Sequence, residues 1–217
     1  MTPSTLLRRL KAAAGTWIAV LGLAAAAAPA HATTIVPLTI VDMLGHSDAI
    51  VVGQVQTVVD GFDSRGLPYT EVTIKVSDTI RGQNSGTYTF RQFGLDKPRR
   101  MADGRTYLGR PTGWPTWRRG ESAIVFMYSK SRATGFQTTV GLGQGKLSLA
   151  NGKAMNAYGN TRLFRGVKVN PSLLDESEKK MFQTHEGPVD ADTLRKFLHR
   201  AVEGNWVRNG GLRNEQR

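Results

Sequence analysis

TTIVPLTIVDMLGHSDAIVVGQV, residues 33–55, is the stretch from which the rest of the chain is read. Its first half holds a single helical turn, with Thr39 as cap, Asp42 in the first turn and Gly45 as the stop. Its second half, Ala49 to Val55, is a strand that starts out apolar on both faces, as a core strand of a barrel or sandwich is. Gly53 inside that strand marks a bulge or sharp bend, the usual device for curving a sheet.

Residues 1–32 read as a secretory signal peptide. Arg8, Arg9 and Lys11 form a basic start, residues 12–29 an alanine-rich apolar run, and Ala30-His31-Ala32 a small-x-small cleavage site. A membrane anchor needs about 20 strongly apolar residues, whereas this run is mostly alanine and ends at Pro29. Cleavage after Ala32 is expected to expose the α-amino group of Thr33 in a periplasmic or secreted protein. No later segment has the length and apolarity to span a bilayer. The expected organisation is therefore a signal peptide (1–32), one domain (33–204) and a flexible tail (205–217).

The signal carries three of the 29 basic residues and none of the 17 acidic ones, which leaves 26 against 17. That excess favours anionic partners, either a polymer or a protein surface. Export argues against nucleic acid. The absence of cysteine excludes disulfides, thiol catalysis and cysteine-bound metal. His46, His185 and His199 have no metal-binding spacing, so neither metal nor cofactor is expected.

Farther along, Asp60 to Pro68 is turn-rich, and Tyr69 to Ile80 alternates cleanly as a half-buried strand. Thr87 to Phe93 returns as a third strand and Glu121 to Tyr128 is a fourth core strand. Gly135 to Leu149 carries one or two strands broken at Gly141-Leu-Gly-Gln-Gly145. That glycine run fails as a phosphate loop, since Gly145-Lys146 is followed by Leu147 instead of Ser or Thr, and it reads as a bulge or tight turn. Thr161 to Val169 is a candidate edge strand and Pro171 to Phe182 a short helix. A better helix starts at Asp190 or Asp192, with Leu194, Phe197, Leu198, Ala201 and Val202 on one stripe and Gly204 at its end.

Between the third and fourth strands, residues 94–120 have no clear periodicity. From Lys97 to Arg119 there are seven basic residues against Asp103 alone. Two readings stand for this segment. In one it is a solvated crossover with Trp114 and Trp117 tucked against the sheet. In the other it is a binding loop, in which Arg99, Arg100, Arg105, Arg110, Arg118 and Arg119 meet anionic groups while Trp114 and Trp117 stack on a ligand.

Catalytic patterns are weak. His46-Ser47-Asp48 holds the three triad residue types, but sequence neighbours entering a strand do not converge on one point. Ser177-Glu-Lys-Lys180 fits S-x-x-K, a pattern common by chance on charged helices. His185-Glu186 lacks the second histidine of a zinc-protease helix. Enzymatic activity is not expected.

The number of strands, the curved first strand and the late helices fit a mainly β, OB-like barrel, closed or partly open, with packed C-terminal helices. The opening residues resemble netrin-like modules, in particular the tissue inhibitors of metalloproteinases. Those begin C-T-C-V-P and place C-x-S-D before their first strand; here Thr33-Thr34-Ile35-Val36-Pro37 and Gly45-His46-Ser47-Asp48 stand in those places. Thr33, Ile35 and Gly45 replace the three cysteines. The stretch from Ser47 to Val55 also resembles exported bacterial proteins sharing an S-D-x-I-V-x-G-x-V pattern. The inhibitor resemblance implies that the α-amino group of Thr33 chelates a protease zinc while Thr34 enters the specificity pocket. An exported, non-enzymatic binding module using the 94–120 loop is the leading expectation, and inhibition of an extracytoplasmic zinc metalloprotease through Thr33 is the alternative.

Overall fold

The computed structural model describes residues 35–83, 86–107 and 109–215. The expected signal peptide (1–32), Thr33 and Thr34 lie outside the described residues. The first element is α1 (Ile40–His46), closed by the expected capping box: Asp42 N–H donates to Thr39 Oγ1 and Thr39 N–H donates to Asp42 Oδ2. Gly45 does not stop it. The helix runs to His46, whose Nδ1 lies 2.7 Å from Asp42 O, and Ile40, Val41, Met43 and Leu44 are buried.

A seven-stranded antiparallel sheet follows. It contains β1 (Ala49–Phe62), β2 (Pro68–Arg81), β3 (Thr87–Phe93), β6 (Ser122–Met127), β7 (Lys146–Ala150), β8 (Lys153–Asn156) and β10 (Val189–Asp190). Two small hairpins stand apart: β4 (Arg99–Arg100) with β5 (Thr106–Tyr107), and β9 (Val167–Val169) with β11 (Leu212–Asn214). The main order is β10-β8-β7-β6-β1-β2-β3, so the sheet has two ends and no closing pair between β3 and β10 among the described residues. The mainly β, antiparallel character and the packed helices match expectation, and no closed barrel is found among the described residues.

Gly53 sits at a register shift in the β1–β2 ladder. A Cβ there would lie 2.2 Å from Lys75 O and 2.7 Å from Ile74 Cγ2, so no other residue fits this approach.

Both faces of the central strands are covered, which is why β1 and β6 are apolar on each side. On one face Ile50, Val52, Ile124, Phe126 and Leu147 meet α1, α2 (Glu176–Phe182) and α3 (Ala191–Glu203). On the other, Ala49, Val51, Val55, Val72, Ile74, Phe90, Val125 and Met127 enclose Trp117. The α3 stripe holds as expected, with Leu194, Phe197, Leu198 and Ala201 buried and Asp190 capping through Thr193 N–H. α2 is capped by Asp175 and is shorter than expected, since Pro171–Leu173 forms a separate 3-10 turn capped by Asn170.

The tail needs correcting. From Asn205 to Glu215 the chain is not a frayed extension: Trp206 packs edge-on against Phe197 at 5.9 Å, Leu212 is fully buried, and β11 pairs with β9. Asn214 then reaches α1, its Nδ2 donating to Asp42 Oδ1 at 2.8 Å. Isolated apolar residues among polar ones show no period in sequence, yet each fills a hole in the core. Among the described residues no helix is long and apolar enough to cross a membrane.

Candidate functional site

The 94–120 segment is not structureless. Asp60, near the end of β1, anchors its start: Oδ1 accepts from Asp96 N–H at 2.8 Å and Oδ2 from Lys97 N–H at 3.1 Å. Leu95 is fully buried beneath it. Gly94 has φ +94°, and a Cβ there would meet Arg110 Cα at 2.9 Å, so the two arms of the loop touch at their base. The β4–β5 hairpin projects from this base. At the far end, buried Gln92 donates through Nε2 to Pro115 O and accepts from Trp117 Nε1–H at 3.2 Å.

Lys146 completes the fixing. Its Nζ donates to Thr116 O and to Glu121 Oε1, each at 2.5 Å, and lies 4.8 Å from the Trp117 ring centroid. Burial pushes this ammonium below its ordinary pKa, against the opposing pull of the Glu121 carboxylate. Glu121 Oε1 also accepts from Arg118 N–H, which orients the residues that follow Trp117.

Between this loop and the outer half of β1 lies an open cleft of about 740 Å³. Its walls include Gln56 to Asp60 on one side and Asp96, Lys97, Arg99, Trp117, Arg118 and Arg119 on the other. Both acids of the cleft are taken up internally: Asp60 by the two loop amides, and Asp96 by Arg110 at 2.6 Å. Lys97, Arg99, Arg118 and Arg119 are exposed and form no ion pair among the described residues. The Arg99 guanidinium rests 5.7 Å from the Phe62 ring centroid, leaving its charge uncompensated.

The basic residues singled out in the sequence therefore divide. Arg99, Arg118 and Arg119 share the cleft. Arg100 pairs opposite Thr106 in the hairpin, outside the cleft lining. Arg105 is paired with Asp103 at 2.5 Å and Arg110 with Asp96, and neither lines the cleft. Trp117 is 3% exposed and belongs to the core, meeting Phe90 at 5.2 Å; it is not a free stacking ring. Trp114 is half-buried beside Phe93 at 6.3 Å. Lys97, which sequence reasoning counted but did not select, joins the cleft because Asp60 fixes its backbone.

In the His46-Ser47-Asp48 trio, His46 Nδ1 and Ser47 Oγ each bond to a backbone carbonyl of α1. Ser47 Oγ donates to Met43 O at 2.6 Å, and Asp48 N–H donates to Met127 O. His199 Nε2 meets the Asp78 carboxylate at 2.9 Å, linking α3 to β2, with Arg195 beside it. Among the described residues no group of three or more His, Asp or Glu is placed to hold a metal.

The N-terminal segment is clamped by the glycine run. Gln144, in a 3-10 turn (Leu142–Gly145), accepts at Oε1 from Leu38 N–H at 2.7 Å and donates from Nε2 to Val36 O at 3.0 Å. Gly141 makes room, since a Cβ there would lie 2.6 Å from Leu38 Cδ1. The tight-turn reading of this run agrees with the structure, and the turn also serves as a cradle. No family model, curated protein or solved structure matches the chain.

Proposed function

We propose that this is an exported, non-enzymatic binding module that holds an anionic partner in the cleft between the outer half of β1 and the 94–120 loop. One observation carries the reading: four cations line a cleft whose own two carboxylates are already engaged. Such a surface lowers its electrostatic energy by taking up anions, and the effect weakens as salt screens it. The test is retention on an immobilised sulfated polysaccharide. Replacing Arg118 and Arg119 by serine should bring elution to lower salt, while replacing the exposed Arg208 and Arg213 by serine removes equal charge and should change it less. Equal effects of the two pairs would reduce the binding to net charge and overturn the site.

A second reading, inhibition of a zinc metalloprotease through the α-amino group of Thr33, draws support from the Gln144 clamp. In the resembling inhibitors disulfides pin the opening residues, and here hydrogen bonds to Val36 and Leu38 hold the chain three and five residues farther on. Protein beginning at Thr33 should inhibit, and the same protein extended by one alanine should not. Equal potency would end this reading.

A further inference from the structure

Among the described residues, β1 leaves a stretch of its edge open. The outer edge of β3 is met by Gln137, whose N–H donates to Arg91 O at 2.8 Å, with Phe136 packed beside Phe93. β10 is two residues long and is followed at once by α3. β1 differs. It pairs with β2 from Ile50 to Phe62 but with β6 only from Ala49 to Gln54. The last bonds on the β6 side join Val55 to Gly120 and Glu121. A register shift between Val55 and Thr57 then bends the strand away. From Gln56 to Asp60 no strand lies on that side among the described residues, and Gln56, Thr57 and Val59 are exposed, Val59 by 55%. These five residues are the β1 wall of the basic cleft.

An exposed strand edge invites a further strand, and proteins that gain nothing from this usually cover it. We propose that the cleft binds an extended acidic polypeptide segment, which adds to the free edge of β1 at Gln56–Asp60 and directs its carboxylates to Lys97, Arg99, Arg118 and Arg119. The proposal rests on the anionic-cleft reading above and names its partner. Five residues of edge span about 17 Å at ~3.4 Å per residue, enough for a short ladder. Side chains on alternate residues of such a segment would face the cations, while those between them face the exposed Val59. A polysaccharide would satisfy the cations but has no peptide groups to match to the edge. A second copy of this chain would bring its own cluster of cations against the first, a like-charge contact that opposes self-pairing.

The test uses the leaderless protein and three peptides. One is an alternating Glu–Thr octapeptide; the other two are N-methylated versions, covering the odd and the even residues. The parent should bind and slow amide hydrogen exchange in residues 56–60. One methylated version, the one blocked on the bonding side, should bind at least about tenfold more weakly, a loss of ~1.4 kcal/mol. Equal binding by all three peptides without protection of 56–60 would overturn strand addition and leave the anionic cleft standing. Binding of the sulfated polysaccharide but of no peptide would have the same meaning. Binding of neither would sink both readings. Self-association that protects 56–60 in the absence of peptide would overturn the proposal in favour of a second copy.

Discussion

Replacing Gln144 by leucine should detach the N-terminal segment while leaving the core packed. Gln144 is 4% exposed, and leucine is apolar and of similar reach. The change removes the bonds to Leu38 N–H (2.7 Å), Val36 O (3.0 Å) and Gly141 O (3.3 Å). Each net bond contributes about 1 kcal/mol, and a group left buried without a partner costs ~1–3 kcal/mol. Val36 is 64% exposed, so its carbonyl recovers water, whereas the half-buried Leu38 N–H recovers it incompletely. The expected loss is about 2 kcal/mol, which for a domain of this size lowers Tm by ~4–8 °C. Urea denaturation measures the loss, and hydrogen exchange at Leu38 should rise selectively. Gln144→Glu adds a pH signature. A buried carboxyl facing Val36 O and Gly141 O is favoured when protonated, so its folded pKa is raised. Stability of that variant should therefore fall as pH rises above the ordinary glutamate value of ~4.3. A loss for Gln144→Leu below about 0.5 kcal/mol, or unchanged exchange at Leu38, would refute the clamp.

Asp190→Ala should cost about 1 kcal/mol by uncapping α3. The Thr193 backbone and hydroxyl bonds hold the Asp190 carboxyl below its ordinary 3.8, so the advantage of wild type over this variant is full above that value. It should shrink as pH falls below it, as read from urea midpoints across acidic pH. Arg200→Met should cost roughly 3 kcal/mol. It leaves the fully buried Glu178 without the guanidinium at 2.7 Å, while Glu178 Oε1 already has no partner. Adding Glu178→Met should recover part of that loss, because it also removes the bond from Asp175 N–H to Glu178 Oε2, and the absence of any coupling in a double-mutant cycle would show that the pair is not the cause. Trp117→Phe should cost about 2–3 kcal/mol, through the lost bond to buried Gln92 and the space left in the core, with retention on the anionic matrix unchanged. Loss of retention from a folded Trp117→Phe protein would restore this ring to the binding surface.

Local regularity explains which parts of the fold were legible in sequence. β2 alternates, α3 carries its stripe, and Thr39 with Asp42 forms a cap within four residues, so each shows its signature inside a short window. β1 and β6 were legible as strands, but their pattern leaves open whether the sheet closes. Burial on both faces looks the same in a closed barrel as in a sheet covered by helices on one side and a loop on the other. The tail was misread because Trp206 and Leu212 gain their partners, Phe197 and the β9 hairpin, from elsewhere in the chain. The candidate site was half legible for a related reason. Sequence shows how many arginines the loop has, but which remain free depends on where Asp96 and Asp103 come to rest.

Anchoring also decides what kind of surface the loop makes. Asp60 holds Asp96 and Lys97 from 36 and 37 residues away, Gln92 holds Pro115 and Trp117, and Gly143 N–H donates to Gly113 O at 2.9 Å. A Cβ at Gly143 would lie 3.3 Å from that same oxygen and 3.2 Å from the Tyr158 ring, so even alanine would press on the loop. Folding thus fixes the backbone beneath the cations before any partner arrives. A mobile loop of equal charge would lose affinity to the entropy of ordering. In the proposed binding mode most of that cost would fall on folding, leaving the side chains of Lys97, Arg99, Arg118 and Arg119 to order. The turn that holds Gly113 also clamps Val36 and Leu38 through Gln144. The N-terminal segment and the basic loop are thereby fastened to one rigid piece of backbone, and a change at Gly143 should disturb both together.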